Sequence, residues 1–310
     1  MYIRPVDGIL RKLSGKFLGI QLVIMALALF YTFCCLGCTA FNDLLFKYFA
    51  RKERSRGIFI TFIGITGTIV MSFMPDKIGE NWQMTLLWGI ICGIFSAVGN
   101  ILLIESMSFM SAGVCSTVYR MNLALVVPLS VLIFHEKLML HQYFGVALAI
   151  AAVLSFLPGR ENKSGGGGKL LLPAVMIVTA SVFRAGLGVA CKYGPMSGAS
   201  PNGINFLIEV MWIVTGLAYY YLKERKYCRP DAQVVKYGIA SGILVAGILF
   251  FMIAALNAPG AKASIVLPTA QMSFIVTFIL SAILLKEKIT GWKITAMLCG
   301  AAAMILLCWH

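Results

Sequence analysis

Charge is what this chain of 310 residues has least of: Asp, Glu, Lys and Arg together make up 12%, about half the share found in a soluble domain. That excludes a soluble globule, which would lack polar surface. With 60% hydrophobic residues and a mean hydropathy of +0.89, most of the surface must face hydrocarbon. Acidic residues are the scarcer sign, 12 against 26 basic, for a net charge of +14. In a soluble protein such an excess raises the question of nucleic acid. Here Lys and Arg gather in short connectors between apolar runs, where they set orientation and meet anionic headgroups. No basic stripe is interleaved with stacking aromatics, so nucleic acid is not an expected partner; the lipid bilayer is.

Catalytic and ligating groups are also few. The three histidines, His135, His141 and His310, all fall at the ends of apolar runs. There is no Ser-His-Asp constellation, no His-Glu-x-x-His and no paired-carboxylate arrangement, so neither chemistry on a substrate nor a metal or other cofactor is expected. Nine cysteines are present, but paired loop cysteines are missing. Cys34, Cys35, Cys38, Cys92, Cys115, Cys299 and Cys308 lie inside apolar runs, where cysteine behaves as a small buried hydrophobe. Cys228 lies in a connector and Cys191 at a helix end, which indicates no disulfide framework. The basic stretch Met1–Lys16 lacks the apolar core of a cleavable signal peptide.

Long apolar runs, by contrast, dominate the chain. A spanning helix needs about 20 predominantly apolar residues, and ten such runs are bounded by charged or Gly/Pro-rich breaks: 18–39, 57–74, 84–104, 112–134, 139–157, 170–191, 203–222, 235–256, 262–285 and 290–308. Between the fifth and sixth runs, Arg160–Lys169 carries four consecutive glycines. These make a flexible link rather than a phosphate loop, which would need Gly-Lys-Ser/Thr between a strand and a helix.

The halves on either side of that link repeat each other. At an offset of 151 residues, Ala112 falls on Ala263, Met121 on Met272, Leu129 on Leu280, Ser130 on Ser281, Glu136-Lys137 on Glu287-Lys288 and Ala151-Ala152 on Ala302-Ala303. One span earlier, Gly89-xxx-Gly93 answers Gly238-xxx-Gly242 with a two-residue slip, a spacing that lets helix backbones approach closely. Five is an odd number of crossings, so the second copy enters the membrane from the opposite side. The expected fold is an all-α membrane protein of ten transmembrane helices, arranged as two inverted five-helix repeats: 1–157, a Gly-rich linker at 158–169, and 170–310. Inverted repeats enclose a site at their interface and expose it alternately by exchanging conformations.

With those features the sequence resembles the drug/metabolite transporter superfamily, in its ten-helix type with two EamA domains. Each EamA unit typically ends in a small-residue helix, a Glu-containing turn and a final Gly/Ala/Leu-rich helix. Here these are Phe134-His135-Glu136-Lys137-Leu138 followed by Gly145–Val153, and Leu285-Lys286-Glu287-Lys288-Ile289 followed by Ala296–Met304. His135 and Lys286 stand where the family usually has glycine, and the usual helix proline is uneven, with Pro268 near the start of its span and Pro128 late in its own. The resemblance implies a fold and a permease, not a substrate. Glu136 and Glu287 read best as topological or capping residues in interfacial turns.

Ionisable groups inside spans cost at least ~2.5–3.5 kcal/mol at the bilayer centre on insertion scales, which makes Glu105, Arg120, Arg184 and Glu209 the sharpest functional pointers. By the repeat offset Arg120 corresponds to Gln271 and Asn122 to Ser273, so both copies present polar groups at one level. The fourth and ninth helices line the central cavity in resembling proteins. The expected substrate-binding set is therefore Asn100, Tyr119, Arg120, Asn122, Arg184, Glu209, Gln271 and Ser273. Guanidinium groups favour a carboxylate or phosphate; the competing reading pairs Arg120 or Arg184 internally with Glu209 or Glu105.

Of the 26 basic residues, 16 lie in the loops joining odd to even spans and 8 on the side of the termini. That count puts the termini outside, whereas ten-helix relatives generally have them in the cytoplasm, so orientation stays open. The leading expectation is a multi-pass secondary active transporter of the cell membrane (bacterial inner or plasma membrane), monomer or homodimer, moving a small metabolite by alternating access. An anionic or zwitterionic substrate and a coupling proton are its options. A membrane enzyme acting on lipid-linked substrates and a non-transporting scaffold are the alternatives.

Overall fold

The structure is a computed structural model that describes residues 6–75, 81–126, 129, 139–155, 167–226, 231–258, 266, 269–287 and 289–308, with side chains from 27 onward except at 167–170, 257 and 308. The described residues contain helices and no strands. Among the described residues ten α-helices have defined bounds: α1 (Val6–Ala50), α2 (Arg56–Met71), α3 (Trp82–Phe109), α4 (Ala112–Arg120), α5 (Leu140–Ser155), α6 (Gly167–Met196), α7 (Pro201–Tyr219), α8 (Ala232–Asn257), α9 (Ser273–Leu284) and α10 (Gly291–Cys308). A π turn, Tyr220–Glu224, extends α7. Among the described residues five stretches are long and apolar enough to cross a membrane: Leu27–Ala50, Trp82–Phe109, Leu171–Met196, Pro201–Glu224 and Ala232–Leu256. Glu136, Lys137, Pro128, Ser130, Lys288, Pro268, His135, His310, Cys228 and most of the glycine tract lie outside the described residues.

Local chemistry explains where the helices start. Ser55, Asn81 and Ser200 each precede a helix, and their side-chain oxygens accept from the backbone N–H groups of Ile58, Met84 and Gly203. Each thereby satisfies a donor that has no partner inside the helix. Pro201, at the first position of α7, loses nothing by lacking an N–H there.

Three expected spans need correction. The first was expected to end at residue 39, but α1 continues to Ala50 and its membrane-capable part is Leu27–Ala50. The polar residues Asn42, Asp43 and Lys47 interrupt the apolar run, yet all three are buried and have partners on other helices. The fourth and ninth spans were expected to be continuous. Instead α4 stops at Arg120 with a turn at Met121–Asn122 before helix resumes at Leu123, and a turn at Met272 precedes α9. Met121 (φ −70°, ψ 2°) and Met272 (φ −67°, ψ 1°) have almost the same backbone conformation and are partners under the 151-residue offset.

The packing has the same twofold character. The major contacts join α1 with α8, α3 with α6, α3 with α7, α2 with α8, α2 with α7, α4 with α9, α5 with α10, α1 with α9 and α4 with α6. Shifting every helix by five positions turns this set into itself, and every pair in it joins one half to the other. The halves interlock, and neither forms a separate core.

Glycines permit the closest of these approaches. A Cβ on Gly89 or Gly93 of α3 would collide with Leu207 or Met211 of α7, and one on Gly238 or Gly242 of α8 with Phe62 or Thr66 of α2. The two Gly-xxx-Gly pairs thus serve symmetry-related crossings, as small residues do where helices meet without a hydrophobic driving force.

Candidate functional site

A cavity of about 220 Å³ lies where the halves meet, walled by α1, α3 and α4 from the first and by α6, α7 and α8 from the second. Its polar lining comes from Thr39, Asn42, Asp43, Ser96, Asn100, Tyr119, Arg120, Arg184, Asn205 and Glu209. Phe46, Leu187, Ile208, Trp212, Val245, Ile248 and Leu249 supply most of its apolar wall.

Five of the expected residues, Asn100, Tyr119, Arg120, Arg184 and Glu209, come together on this wall. The other three lie off it. Asn122 is buried in the turn after α4; with its amide oriented by the surrounding acceptors, it donates to the carbonyls of Arg120 (3.0 Å) and Tyr119 (3.3 Å). Both carbonyls belong to the last turn of α4, where a helix runs short of its own donors; that of Tyr119 also accepts from the backbone N–H of Asn122 at 3.5 Å. Ser273 is fully buried at the start of α9, and Gln271 sits half-buried one residue before the Met272 turn. Asn122 and Ser273 stand directly after the matching turns at Met121 and Met272, and these breaks set them, with Gln271, outside the cavity wall.

Arg120 is paired, though with neither carboxylate considered from the sequence. Its Nη2 lies 3.4 Å from Oδ2 of Asp43 on α1. The same oxygen accepts from Ser116 Oγ of α4 at 2.6 Å and from Thr277 Oγ1 of α9 at 3.4 Å. Asp43 therefore ties α1 to both helices that carry the Met121 and Met272 turns. Both side chains are nearly buried, so their attraction is opposed by the loss of hydration on each. As a pair they add no net charge to the cavity.

Arg184 and Glu209 differ from this pair. No carboxylate among the described residues lies within 4.0 Å of Arg184, whose guanidinium instead sits 5.8 Å from the centre of the Tyr119 ring. Glu209 is 3% exposed, and its Oε2 has no hydrogen-bond partner among the described groups. That carboxylate lies where a side chain on Gly67 of α2 would otherwise be. Tyr119 Oη and Arg120 Nε are likewise buried without partners. Buried polar groups normally have partners, so several such atoms around one cavity suit a polar occupant.

Glu105 belongs elsewhere. It accepts from Tyr219 Oη at 2.5 Å and pairs with Lys223 at 3.5 Å and Arg56 at 3.8 Å, at the end of the bundle where odd helices turn into even ones. On that same face Glu224 accepts from Ser55 Oγ (2.7 Å) and from the N–H groups of Arg56 (2.9 Å) and Gly57 (3.0 Å). Glu287 accepts from the N–H of Ala112 at 3.0 and 3.1 Å, while Lys47 donates to the carbonyls of Met107 (2.6 Å) and Met110 (2.7 Å). Two carboxylates of the second half thus cap helix N-termini of the first, where the helix dipole favours negative charge.

Sequence reasoning missed Asp43 because the first span was closed before it. The signal was there: Asp43 and Lys47 stand one helical turn apart in a run, Cys38–Ala50, that is otherwise mostly apolar.

Residues 24–157 match the EamA-like transporter family. No curated protein matches the sequence. Among solved structures, one crystal-structure chain superposes with a TM-score of 0.61 at 12% identity, covering 90% of this chain and 96% of that one. At that identity the likeness shows a shared fold. Residues 24–157 are accordingly similar to the EamA-like transporter family, within a helical membrane protein whose described residues include five stretches long and apolar enough to cross a bilayer.

Proposed function

We propose that the protein is a secondary active transporter of the cell membrane that carries a small zwitterionic or anionic metabolite through the interface cavity by alternating access. The observation that supports this reading most is the pairing pattern of the cavity charges. Arg120 is balanced by Asp43, which leaves Arg184 and Glu209 without ionic partners among the described residues. Arg184 offers a planar donor fork to a carboxylate or phosphate, and Glu209 offers an acceptor to an ammonium group or a coupling proton. A cavity of about 220 Å³ is below the usual range for drug-sized ligands, roughly 300–1,000 Å³, which favours a metabolite of few heavy atoms. The interlocked halves supply the two bodies whose exchange of shape would open the site to alternate faces.

A thermal-shift screen of the purified protein against amino acids, organic acids, nucleotides, sugar phosphates and cationic drugs tests the substrate class. A ligand at 100 times its Kd stabilises by about 2.7 kcal/mol. The reading expects zwitterions or anions to raise Tm and Arg184→Gln to abolish that rise. Stabilisation by cationic drugs alone would overturn it.

A further inference from the structure

Cys92 of α3 and Cys191 of α6 bring their sulfur atoms to 3.8 Å across the boundary between the halves. Cys92 is fully buried, whereas Cys191 is half-buried and lines the cavity. The α3–α6 crossing that holds them is the symmetry mate of the α1–α8 crossing. There Ser241 Oγ donates to Asn42 Oδ1 at 2.5 Å. The shift of 149 residues that takes Gly89 and Gly93 onto Gly238 and Gly242 also takes Cys92 onto Ser241 and Asn42 onto Cys191. Both Asn42 and Cys191 line the cavity. The two equivalent cross-half contacts therefore lie toward opposite ends of the bundle. One is a hydroxyl–amide hydrogen bond, the other a thiol pair, whose S–H donor is weak.

We propose that Cys92 and Cys191 form a redox-modified site: a low-molecular-weight disulfide that enters the cavity converts the thiol pair to an intramolecular disulfide, which locks α3 to α6 and so fixes one half against the other. The Cys191 thiolate attacks the small disulfide, forms a mixed disulfide and releases one small thiol. The Cys92 thiolate then displaces the second small thiol as the Cys92–Cys191 bond forms. One disulfide is reduced, two protein thiols are oxidised, and their two protons leave on the released thiols. Access sets the order, since Cys191 faces the cavity and Cys92 does not. The hydrogen-bonded counterpart at Asn42 and Ser241 has no such chemistry, so the modification acts on one end of the bundle only.

The test is to treat the purified full-length protein with hydroxyethyl disulfide and map its peptides by mass spectrometry. The wild type should lose about 2 Da, the two hydrogens of the thiols, and yield a peptide cross-linked through Cys92 and Cys191, both reversed by dithiothreitol. Cys92→Ser protein should instead retain a stable half-reagent adduct on Cys191, because the resolving thiol is gone. Amide exchange in α3 and α6 should slow in the oxidised wild type and recover on reduction, a readout that needs no variant to fold. A stable adduct on Cys191 in the wild type, no reaction at Cys191, or exchange in α3 and α6 unchanged by the cross-link would each overturn the proposal.

Discussion

Glu287, just past the end of α9, caps α4 of the opposite half: both of its carboxylate oxygens lie 3.0–3.1 Å from the N–H of Ala112. Lys47 stands 3.8 Å from the same carboxylate while bonding the last carbonyls of α3. One acid thus joins three helices from the two halves. Replacing a helix-capping group typically costs about 0.5–2 kcal/mol. Glu287→Ala is expected to lower stability by roughly that amount, and Glu287→Gln by less because an acceptor oxygen remains. Denaturation in detergent checks both, and equal losses for the two would show that the acceptor is not what matters.

The pair formed by Asp43 and Arg120 makes a different prediction. Removing one partner of a buried ion pair strands the other, at a cost of roughly 3–5 kcal/mol. Asp43→Ala is expected to fall in that range. The double variant Asp43→Asn/Arg120→Gln should be more stable than the sum of its single changes implies, since no charge is left unmatched. A double-mutant cycle on unfolding free energies measures this, and additive effects would mean that the two side chains do not interact.

Close approach of backbones makes a third. On Gly67 a methyl group would occupy the place of the Glu209 carboxylate, whereas on Gly37 it would meet nothing within 4 Å. Gly37→Ala should therefore be neutral or stabilising by up to about 1 kcal/mol, the ordinary helix preference for alanine. Gly67→Ala should lower Tm and should lose its ligand response together with Glu209. Melting curves of the two variants side by side decide it.

Much of this architecture was legible in the sequence. Ten apolar runs mark the helices, and the 151-residue offset aligns Met121 with Met272, the two turn positions. The turns themselves were not legible, because neither Met121-Asn122 nor Met272 contains the glycine or proline that usually marks a break. At the site, the rarity of charge within spans pointed to Arg120, Arg184 and Glu209, all of which line the cavity. The partner of Arg120 was hidden for a physical reason: Asp43 lies far from it along the chain, and its polarity made the first span look finished. Cys92 read as apolar filler and Cys191 as a helix-end residue, since only the crossing of α3 over α6 makes them neighbours.

The most direct measurement is counterflow in proteoliposomes with labelled amino acids and organic acids, comparing the wild type with Arg184→Gln and Glu209→Gln proteins matched for folding by Tm. Saturable exchange of at least one zwitterion or anion by the wild type, lost in Arg184→Gln, is the expected result. Exchange that persists undiminished in both variants would contradict a substrate site between the halves.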